Sequence, residues 1–332
     1  MTVSLPERGA EQLRLLRGQH ILSVEQFTPA LLQPLFAQAK SFATLVASGQ
    51  RSTPLEGLIV ANLFYEPSTR TDLSFQAAVA RLGGRIITTA GGVHYSSVTK
   101  GESLHDTVKT IGCYADAIVL RHPVQGAARE AAEASDDLSH TTGRRVPIIN
   151  AGDGIGEHPT QALLDLYTIH KEIGSIDGLK IAMVGDLAQG RTVRSLAYLL
   201  SKFKDIKMYF VAPPLLKMKE DILEHLEEHG SWFSEETTLD RVLPEVDVVY
   251  QTRVQKERFG DRIADYESCR GIYVINQNSL RLMKPNAIIM HPLPRLEEIS
   301  MEVDQDRRAA YFRQAQNGLF VRMALLTALL SK

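Results

Sequence analysis

Short apolar runs alternate with amphipathic segments along most of the chain. The amphipathic segments repeat apolar residues at the spacing of one helix face, and helices are predicted at Thr71–Leu82, Ser103–Tyr114, Thr160–Ile173, Thr192–Lys202, Leu215–His229 and Asp306–Leu330. The apolar runs between them are predicted strands, at Leu58–Phe64, Arg85–Thr89, Ala117–Leu120, Val146–Ile149, Lys180–Val184, Asp247–Tyr250, Ile272–Ile275 and Ala287–Met290. This alternation is typical of parallel sheets covered by helices.

The domain organisation follows from chain length and from one glycine-rich segment. A chain of 332 residues is more typical of two domains than of one. We predict an α/β fold of two doubly wound parallel-sheet domains, although strand number alone leaves an eight-stranded barrel open. The join is expected at Asn150–Thr160, where three glycines precede a proline placed to open a helix.

Composition narrows the possible partners and the compartment. The formal net charge is −2, which argues against a nucleic-acid-binding protein. The two cysteines, Cys113 and Cys269, lack metal-ligand spacing, and we expect both to be buried in a reducing compartment. Met1–His20 has no apolar core like that of a secretory signal, and no apolar run is long enough to span a membrane. We therefore expect a cytoplasmic protein without membrane contacts.

Polar and cationic residues follow several predicted strands directly. In open parallel sheets, ligands bind beyond the carboxyl ends of the strands. A nearly neutral chain that concentrates cations there is expected to hold a polyanionic small molecule between its two domains. The residues in question are Ser68, Thr69, Arg70, Thr71, Arg121, His122, His158, Gln161, Arg191, Thr192, Thr252, Arg253, Gln255, His291 and Arg295.

The segment Ser68–Thr71 is the most specific of these. Because it opens a helix, it offers unpaired backbone N–H groups and the positive end of the helix dipole, and Arg70 adds a forked cation. This combination suits a phosphate group, although Ser68 or Thr69 would also serve as an ordinary N-cap. The sequence contains neither a GxxxxGK[ST] phosphate loop nor a GxGxxG dinucleotide motif.

The other candidates also have ordinary structural interpretations. His158 is either a turn histidine or a donor to an oxygen that gains charge during a reaction. Arg191 and Arg253 would usually be surface ion-pair partners, but their positions after strands favour ligand contact. Glu66 is either a solvated acid or a counter-charge between domains, and Asp186 either caps its turn or acts chemically.

Taken together, these motifs resemble those of the aspartate carbamoyltransferase family. The similarity covers residues from about Leu22 to Leu330. It rests on the segments Phe64–Thr71, Lys100–Glu102, Val119–Pro123, Glu157–Gln161, Gly185–Leu187, Gly190–Thr192, Thr252–Arg258 and His291–Arg295. The segments Cys113–Asp116 and Arg308–Gln314 resemble most the version within the animal multifunctional pyrimidine-synthesis protein.

The resemblance implies a carbamoyltransferase fold in which interdomain helices join the two domains. Residues 1–158 plus 307–332 would form the carbamoyl phosphate-binding domain, and residues 159–306 the aspartate-binding domain. The implied reaction transfers the carbamoyl group of carbamoyl phosphate to L-aspartate, the second step of de novo pyrimidine biosynthesis. A homotrimer with sites shared between subunits is implied, and no metal or organic cofactor is expected.

The resemblance also assigns roles residue by residue. Ser68, Thr69, Arg70 and Thr71 match phosphate-binding positions, and Arg121, His158 and Gln161 match the groups around the carbamoyl carbonyl and amide. Ser96 and Lys100 match residues inserted from a neighbouring subunit. Arg191, Arg253 and Gln255 match holders of the aspartate carboxylates, with Pro292 and Leu293 near the reacting groups. Glu66, Arg191 and Arg258 match a domain-closure network.

Two positions depart from the family pattern, and two rival functions stay open. Asp72 replaces an arginine or small residue, and Ala188 replaces a lysine, so we expect weakened affinity or altered closure. An ornithine carbamoyltransferase would carry His-Cys-Leu-Pro at residues 291–294 and a Ser-Met-Gly run that is absent here. The second rival is a catalytically silent paralogue that assembles with an active chain, which Asp72 and Ala188 alone support.

Overall fold

The computed structural model describes residues 7–89, 100–256 and 259–331. The chain divides into two compact units: the first comprises Met1–Leu163 and Gln316–Lys332, and the second comprises Leu164–Ala315. Each boundary falls inside a helix, either α6 (Pro159–Ile173) or α12 (Tyr311–Leu330). The boundaries expected from the sequence lie shortly before these same two helices.

The first unit is built on a four-stranded parallel sheet in the order β2-β1-β3-β4. Its strands are β1 (Ile59–Phe64), β2 (Arg85–Thr88), β3 (Ala117–His122) and β4 (Ile148–Asp153). Its helices are α1 (Glu7–Arg14), α2 (Pro29–Ala47), α3 (Thr69–Arg81), α4 (Leu104–Gly112) and α5 (Ala127–Thr142). A buried cluster of Leu63, Ile118 and Val108 packs α4 and α5 against the sheet.

The second unit contains a five-stranded parallel sheet in the order β7-β6-β5-β8-β9. Its strands are β5 (Lys180–Val184), β6 (Lys207–Val211), β7 (Trp232–Glu236), β8 (Val248–Gln251) and β9 (Ile288–Met290). Its helices are α7 (Arg191–Leu200), α8 (Glu220–Glu228), α9 (Leu239–Val242), α10 (Ile263–Cys269) and α11 (Gln277–Leu282).

The described residues form nine strands, of which the sequence predicted seven, and the strand predictions were wrong at three places. β6 was missed although Met208–Val211 is a continuous apolar run, and β7 was missed because this edge strand is polar and partly exposed. The run Ile272–Ile275 is not a sheet strand, since its only bridge among the described residues joins Ile275 to Ile299. Two open sheets also rule out the eight-stranded barrel.

Each sheet has one point at which the order of the strands reverses. In the first unit β2 and β3 lie on opposite sides of β1, and in the second unit β6 and β8 lie on opposite sides of β5. At such a point the two connections leave the carboxyl edge in opposite directions and leave a crevice, where ligands of open α/β sheets bind. The crevices therefore lie beyond Phe64 and Arg121 in one unit and beyond Val184 and Gln251 in the other.

Two further expectations concern the burial of the two cysteines and the lack of a membrane-spanning helix. Cys269 is buried as expected, but Cys113 is exposed, because it ends α4 on its solvent side and donates to the carbonyl of Lys109. Among the described residues, no helix combines the length and the hydrophobicity that crossing a bilayer requires.

His20 makes the stability of the first unit sensitive to pH. Burial lowers its pKa from the ordinary value of 6.5, so the folded chain binds this proton less tightly than the unfolded chain. The stability that depends on neutral His20 is therefore fully present above the ordinary pKa of 6.5. It is lost as the pH falls from 6.5 through the lower pKa of the folded chain. We expect the unfolding free energy to decrease below about pH 6.5, with His20 contributing at most about 1.4 kcal/mol per pH unit. Urea denaturation of wild type and His20→Gln at several pH values checks this, and equal pH slopes would contradict it.

Candidate active site

The amino end of α3 forms the first part of the site. β1 ends at Phe64, and α3 begins at Thr69 with Ser68 as its N-cap. The Ser68 side chain makes no capping hydrogen bond, so ordinary capping does not account for this hydroxyl. Thr71 is buried in the first turn, whereas the side chains of Thr69 and Arg70 are exposed. The first amides of a helix have no intrahelical acceptor, so this turn presents N–H groups and hydroxyls together.

Arg121 lies at the end of β3, opposite Phe64 in the register of the sheet. Its Nη2 is 2.9 Å from Glu66 Oε2, and its Nη1 donates to the carbonyl of Ala151 at 3.2 Å. The side chain is only 12% exposed, so both contacts hold the guanidinium in a fixed direction. Glu66 is thus a counter-charge to Arg121 in the loop before α3, and its side chain is still 37% exposed.

His158 directly precedes α6 and is also buried. Its Nε2 is 3.5 Å from Thr71 Oγ1, which brings the two turns of the first unit together. The loop before it is held by Asp153, which accepts hydrogen bonds from the amides of Gly126 and Glu157 at 3.0 and 2.9 Å. This role of Asp153 was not predicted from the sequence, although its position in a glycine-rich turn was the available signal.

His122 and Asp72 are two titratable residues beside this crevice. Burial lowers the pKa of His122, so the imidazole is neutral at pH 7, and its Nδ1 accepts from the amide of Val124 at 3.1 Å. Asp72 is directed towards β1 and accepts from Asn62 Nδ2 at 2.7 Å and from Gln76 Nε2 at 3.0 Å. Asp72 therefore provides the acceptor that the buried Asn62 amide requires.

The crevice of the second unit is shaped by a close backbone approach. Gly185 follows β5 with φ of +109°, and a Cβ at this position would lie 2.5 Å from the carbonyl oxygen of Thr252. The amide of Asp186 donates to Thr252 Oγ1 at 3.0 Å, and that hydroxyl donates to the carbonyl of Val184 at 2.8 Å. Asp186 Oδ1 in turn accepts from the amide of Gln189, which supports the capping interpretation of this carboxylate.

The second unit also places its predicted arginines at this edge. Arg191 is the first residue of α7 and is buried, and Arg253 and Gln255 follow β8 in half-buried positions. Arg253 borders a narrow cavity of about 20 Å³, whose other lining residues are Gly185, Gln251, Thr252, Val254, Tyr266, Cys269, Arg270, Gly271, Tyr273, Leu296, Glu297 and Glu298. Arg191 and Arg253 therefore both follow strands of this sheet, as the sequence pattern predicted.

The turn after β9 completes the edge of the second sheet. Pro292 and Leu293 follow the buried His291, and Leu293 has φ of +57° before a cis bond to Pro294. Arg295 then binds Asp304 and the hydroxyl of Tyr311, so the turn is tied to the segment that leads into α12. The sequence pattern placed His291 among the residues expected to hold a ligand and gave no role to Glu298, whereas in the structure hydrogen bonds of both side chains hold this turn.

The structure thus places the predicted residues at or beyond the ends of strands in the two sheets. Those of the first unit are Ser68, Thr69, Arg70, Thr71, Arg121, His158 and Gln161, and those of the second are Arg191, Arg253, Gln255, Pro292 and Leu293. Ser96 and Arg258 lie outside the described residues, and Lys100 is exposed. In the described part of the chain, no three His, Cys, Asp or Glu side chains are grouped so that they could hold a metal ion.

The chain is similar to named proteins over nearly its whole length. It is 52% identical to the chloroplastic aspartate carbamoyltransferase of Arabidopsis thaliana, over 98% of this chain and 81% of that protein. It is 49% identical to multifunctional protein CAD of Squalus acanthias, over 95% of this chain and 14% of that protein. The resemblance to the animal multifunctional protein is confirmed, but the plant protein has the higher identity of the two.

Solved structures and family models agree with these relatives. The aspartate transcarbamoylase of Trypanosoma cruzi in complex with carbamoyl phosphate and aspartate matches with a TM-score of 0.89 and 43% identity, over 96% of this chain and 98% of that one. Residues 19–171 match the aspartate/ornithine carbamoyltransferase, carbamoyl-P binding domain, and residues 177–329 match the Asp/Orn binding domain of the same family. The predicted fold is confirmed, and the chain belongs to the aspartate/ornithine carbamoyltransferase family.

Proposed function

We propose that this chain is an aspartate carbamoyltransferase, which converts carbamoyl phosphate and L-aspartate into N-carbamoyl-L-aspartate and phosphate. The observation that carries the proposal is the contact of His158 with Thr71 at the amino end of α3, in a turn suited to phosphate, with Arg121 fixed by Glu66 of the preceding loop. The names of the relatives favour aspartate over ornithine as the acceptor, as do the arginines of the second unit.

The first unit would bind carbamoyl phosphate. Ser68, Thr69, Arg70 and the amides of the first turn of α3 suit the phosphate, since hydroxyls and amides approach closely and the helix dipole favours an anion. Negative charge builds on the carbamoyl oxygen when an amine attacks its carbon. Thr71, Arg121 and His158 would stabilise that oxygen, and Gln161 would hold the carbamoyl amide.

The second unit would bind aspartate. Arg191, Arg253 and Gln255 are suited to two carboxylates, because a guanidinium binds a carboxylate through two parallel hydrogen bonds. Pro292 and Leu293 would contribute backbone groups near the reacting atoms. No protein nucleophile is required, since holding the amine in line with the carbonyl carbon lowers much of the barrier. The departing phosphate would accept the amine proton.

The proposal is tested by assaying the purified chain with carbamoyl phosphate and either L-aspartate or L-ornithine. We expect carbamoyl transfer to aspartate, and calorimetric binding of N-(phosphonacetyl)-L-aspartate at one molecule per chain. Transfer to ornithine alone would overturn the choice of substrate. Absence of transfer to both amines would favour the silent paralogue.

The proposed assembly is a homotrimer whose sites are shared, and the proposed compartment is the cytoplasm. The exposed side chain of Lys100 is accessible to a neighbouring subunit. Mixing two inactive variants, Lys100→Met and Arg121→Met, should restore part of the activity if each site takes residues from two chains. Analytical sedimentation of the wild-type chain measures the number of subunits in the assembly. Since the plant relatives are named chloroplastic, fractionation of source cells decides the compartment.

Asp72 and Ala188, the two departures from the family pattern, are each expected to affect the KM for one substrate. Asp72→Asn removes a negative charge near the phosphate turn and keeps an oxygen acceptor for Asn62. We expect it to lower KM for carbamoyl phosphate about two- to fivefold, the range of a single charge at a helix terminus. Asp72→Ser should have the same effect on KM but also destabilise the chain, because Asn62 loses its acceptor.

Ala188→Lys should lower KM for aspartate by adding a cation beyond β5. Steady-state kinetics with each substrate varied in turn measure these constants, and thermal unfolding measures the stability difference between the two Asp72 variants. If KM for both substrates stays at the wild-type value in Asp72→Ser and in Ala188→Lys, neither departure affects affinity.

A further inference from the structure

The turn between β9 and the second unit's last segment is held by one imidazole. His291 Nδ1 is 2.7 Å from the amide nitrogen of Leu293, and His291 Nε2 is 2.9 Å from Glu298 Oε1. His291 is 2% exposed and Glu298 is 7% exposed, so both side chains are largely shielded from bulk solvent. The imidazole therefore links the backbone of the turn to a buried carboxylate.

These contacts fix the tautomer of His291. An amide N–H only donates, so Nδ1 must be the unprotonated acceptor. The ring proton is then on Nε2, where it is donated to Glu298. Burial acts to raise the pKa of Glu298, but the hydrogen bonds from His291 and from backbone amides together outweigh it and the pKa is lowered, so the carboxylate stays ionised.

Glu298 also holds the far end of the same turn. Both of its carboxylate oxygens lie 3.2 Å from the amide nitrogen of Leu296. The backbone of Glu298 is itself anchored, since its carbonyl accepts from the amide of Ile275 at 3.0 Å, and the carbonyl of Ile275 accepts from the amide of Ser300 at 2.9 Å. One side chain thus fixes residues on both sides of Leu293.

A second set of buried side chains holds the start of the turn. The amide of His291 donates to Gln314 Oε1 at 2.9 Å, and Gln314 Nε2 donates to Asp165 Oδ1 at 2.6 Å. Tyr250 completes the set by donating to the other oxygen of Asp165 at 2.7 Å. Helices α6 and α12 and strand β8 therefore all contribute to the position of His291.

The conformation of Leu293 explains why so many contacts are used. A φ of +57° is unfavourable for a residue with a branched side chain, and it persists only where the surroundings determine it. The hydrogen bond from the Leu293 amide to His291 Nδ1 is one such constraint on the backbone. It forms only when the ring proton of His291 is on Nε2.

We propose that Glu298 is a positioning residue of the transferase, which keeps the Nε2–H tautomer of His291 and thereby the backbone orientation of Leu293 at the aspartate side of the site. This proposal rests on the proposed function for its kinetic consequences. Glu298 would touch neither substrate and would act only through His291 and Leu296.

Glu298→Gln is the informative variant because it preserves size. If the glutamine oxygen faces His291, the glutamine NH2 group faces the backbone N–H of Leu296, and two donors oppose each other. If the NH2 group faces His291 instead, the ring proton of His291 moves to Nδ1, where it opposes the backbone N–H of Leu293. Either way one contact of the turn is lost. We expect kcat to fall about 10- to 100-fold, as for a small displacement of a reacting group. KM for carbamoyl phosphate should stay near the wild-type value, since the first unit binds that substrate.

The chain offers a matched control in the first unit. There His20 Nδ1 accepts from the amide of Ile148 at 3.0 Å, and its Nε2 lies 3.2 Å from Asp136 Oδ1. Asp136→Asn disturbs the same pattern away from the candidate site. It should lower thermal stability and leave kcat at the wild-type value.

The outcomes separate this proposal from the proposed function. Nitrogen-15 NMR of wild-type protein must show His291 protonated on Nε2, and protonation on Nδ1 would overturn the positioning role without any variant. A Glu298→Gln variant that loses stability but keeps kcat would also overturn it. If wild type catalyses no carbamoyl transfer, the proposed function fails, while the NMR result still tests the geometry of the turn.

Discussion

Arg121→Met is expected to lower kcat for carbamoyl transfer by about 100- to 1000-fold, the usual loss when one donor to a developing oxyanion is removed. The reason is the fixed direction of this guanidinium, which Glu66 and the carbonyl of Ala151 hold at 2.9 and 3.2 Å. A donor that is already oriented needs no rearrangement when charge develops. The variant also leaves the Glu66 carboxylate without this cation.

Arg121→Lys separates charge from geometry. Lysine supplies a point charge, but it cannot contact Glu66, Ala151 and a substrate oxygen through one planar group. We therefore expect only a partial recovery of kcat relative to methionine. Arg144→Met is the control, since Arg144 is an exposed arginine that pairs with Asp116 in the same unit. Steady-state kinetics of the three variants provide the comparison, and a kcat of Arg121→Met within about threefold of wild type would rule out the oxyanion role.

Gly185→Ala is expected to destabilise the second unit by about 2–4 kcal/mol and to raise KM for aspartate. The added Cβ would lie 2.5 Å from the carbonyl oxygen of Thr252 and 2.8 Å from its hydroxyl. The φ of +109° is also unsuited to alanine. Relieving this overlap requires the carboxyl ends of β5 and β8 to move apart. Arg253 moves with β8 because it follows that strand.

Gly230→Ala is the matched control for that substitution. Gly230 also has a positive φ, +64°, but no other atom lies within 4 Å of a Cβ built there. It should lose only the conformational part of the effect, about 1 kcal/mol, and keep the wild-type KM. Denaturant unfolding and aspartate titration measure both quantities. Equal losses in the two variants would show that the contact with Thr252 is not the cause.

Local patterns allowed the sequence to predict much of the candidate site. Ser68–Thr71 and His158–Gln161 were identified because a helix start needs particular residues at adjacent positions, and these motifs are continuous in the chain. The parallel sheets were predicted for a similar reason, since a fully buried strand such as Ala117–Leu120 is a continuous apolar run. Edge strand β7 has no such signal, because its sequence includes Ser234, Glu235 and Glu236 and none of its residues is fully buried.

The expectation that both cysteines are buried shows where local reasoning was insufficient. Cys113 was expected to be buried, but its exposure is decided by which side of α4 faces the sheet at its last residue.

The sequence by itself determined the α/β architecture, the family and the residue types at the strand ends, because each depends on residues that are near one another in the chain. Only the tertiary structure decided the partners of those residues: Arg121 with Glu66, Asp72 with Asn62, and His291 with Glu298. Pairing between distant side chains depends on strand order, register and the shape of each turn. These follow from packing free energy summed over the whole unit, which a local motif does not contain.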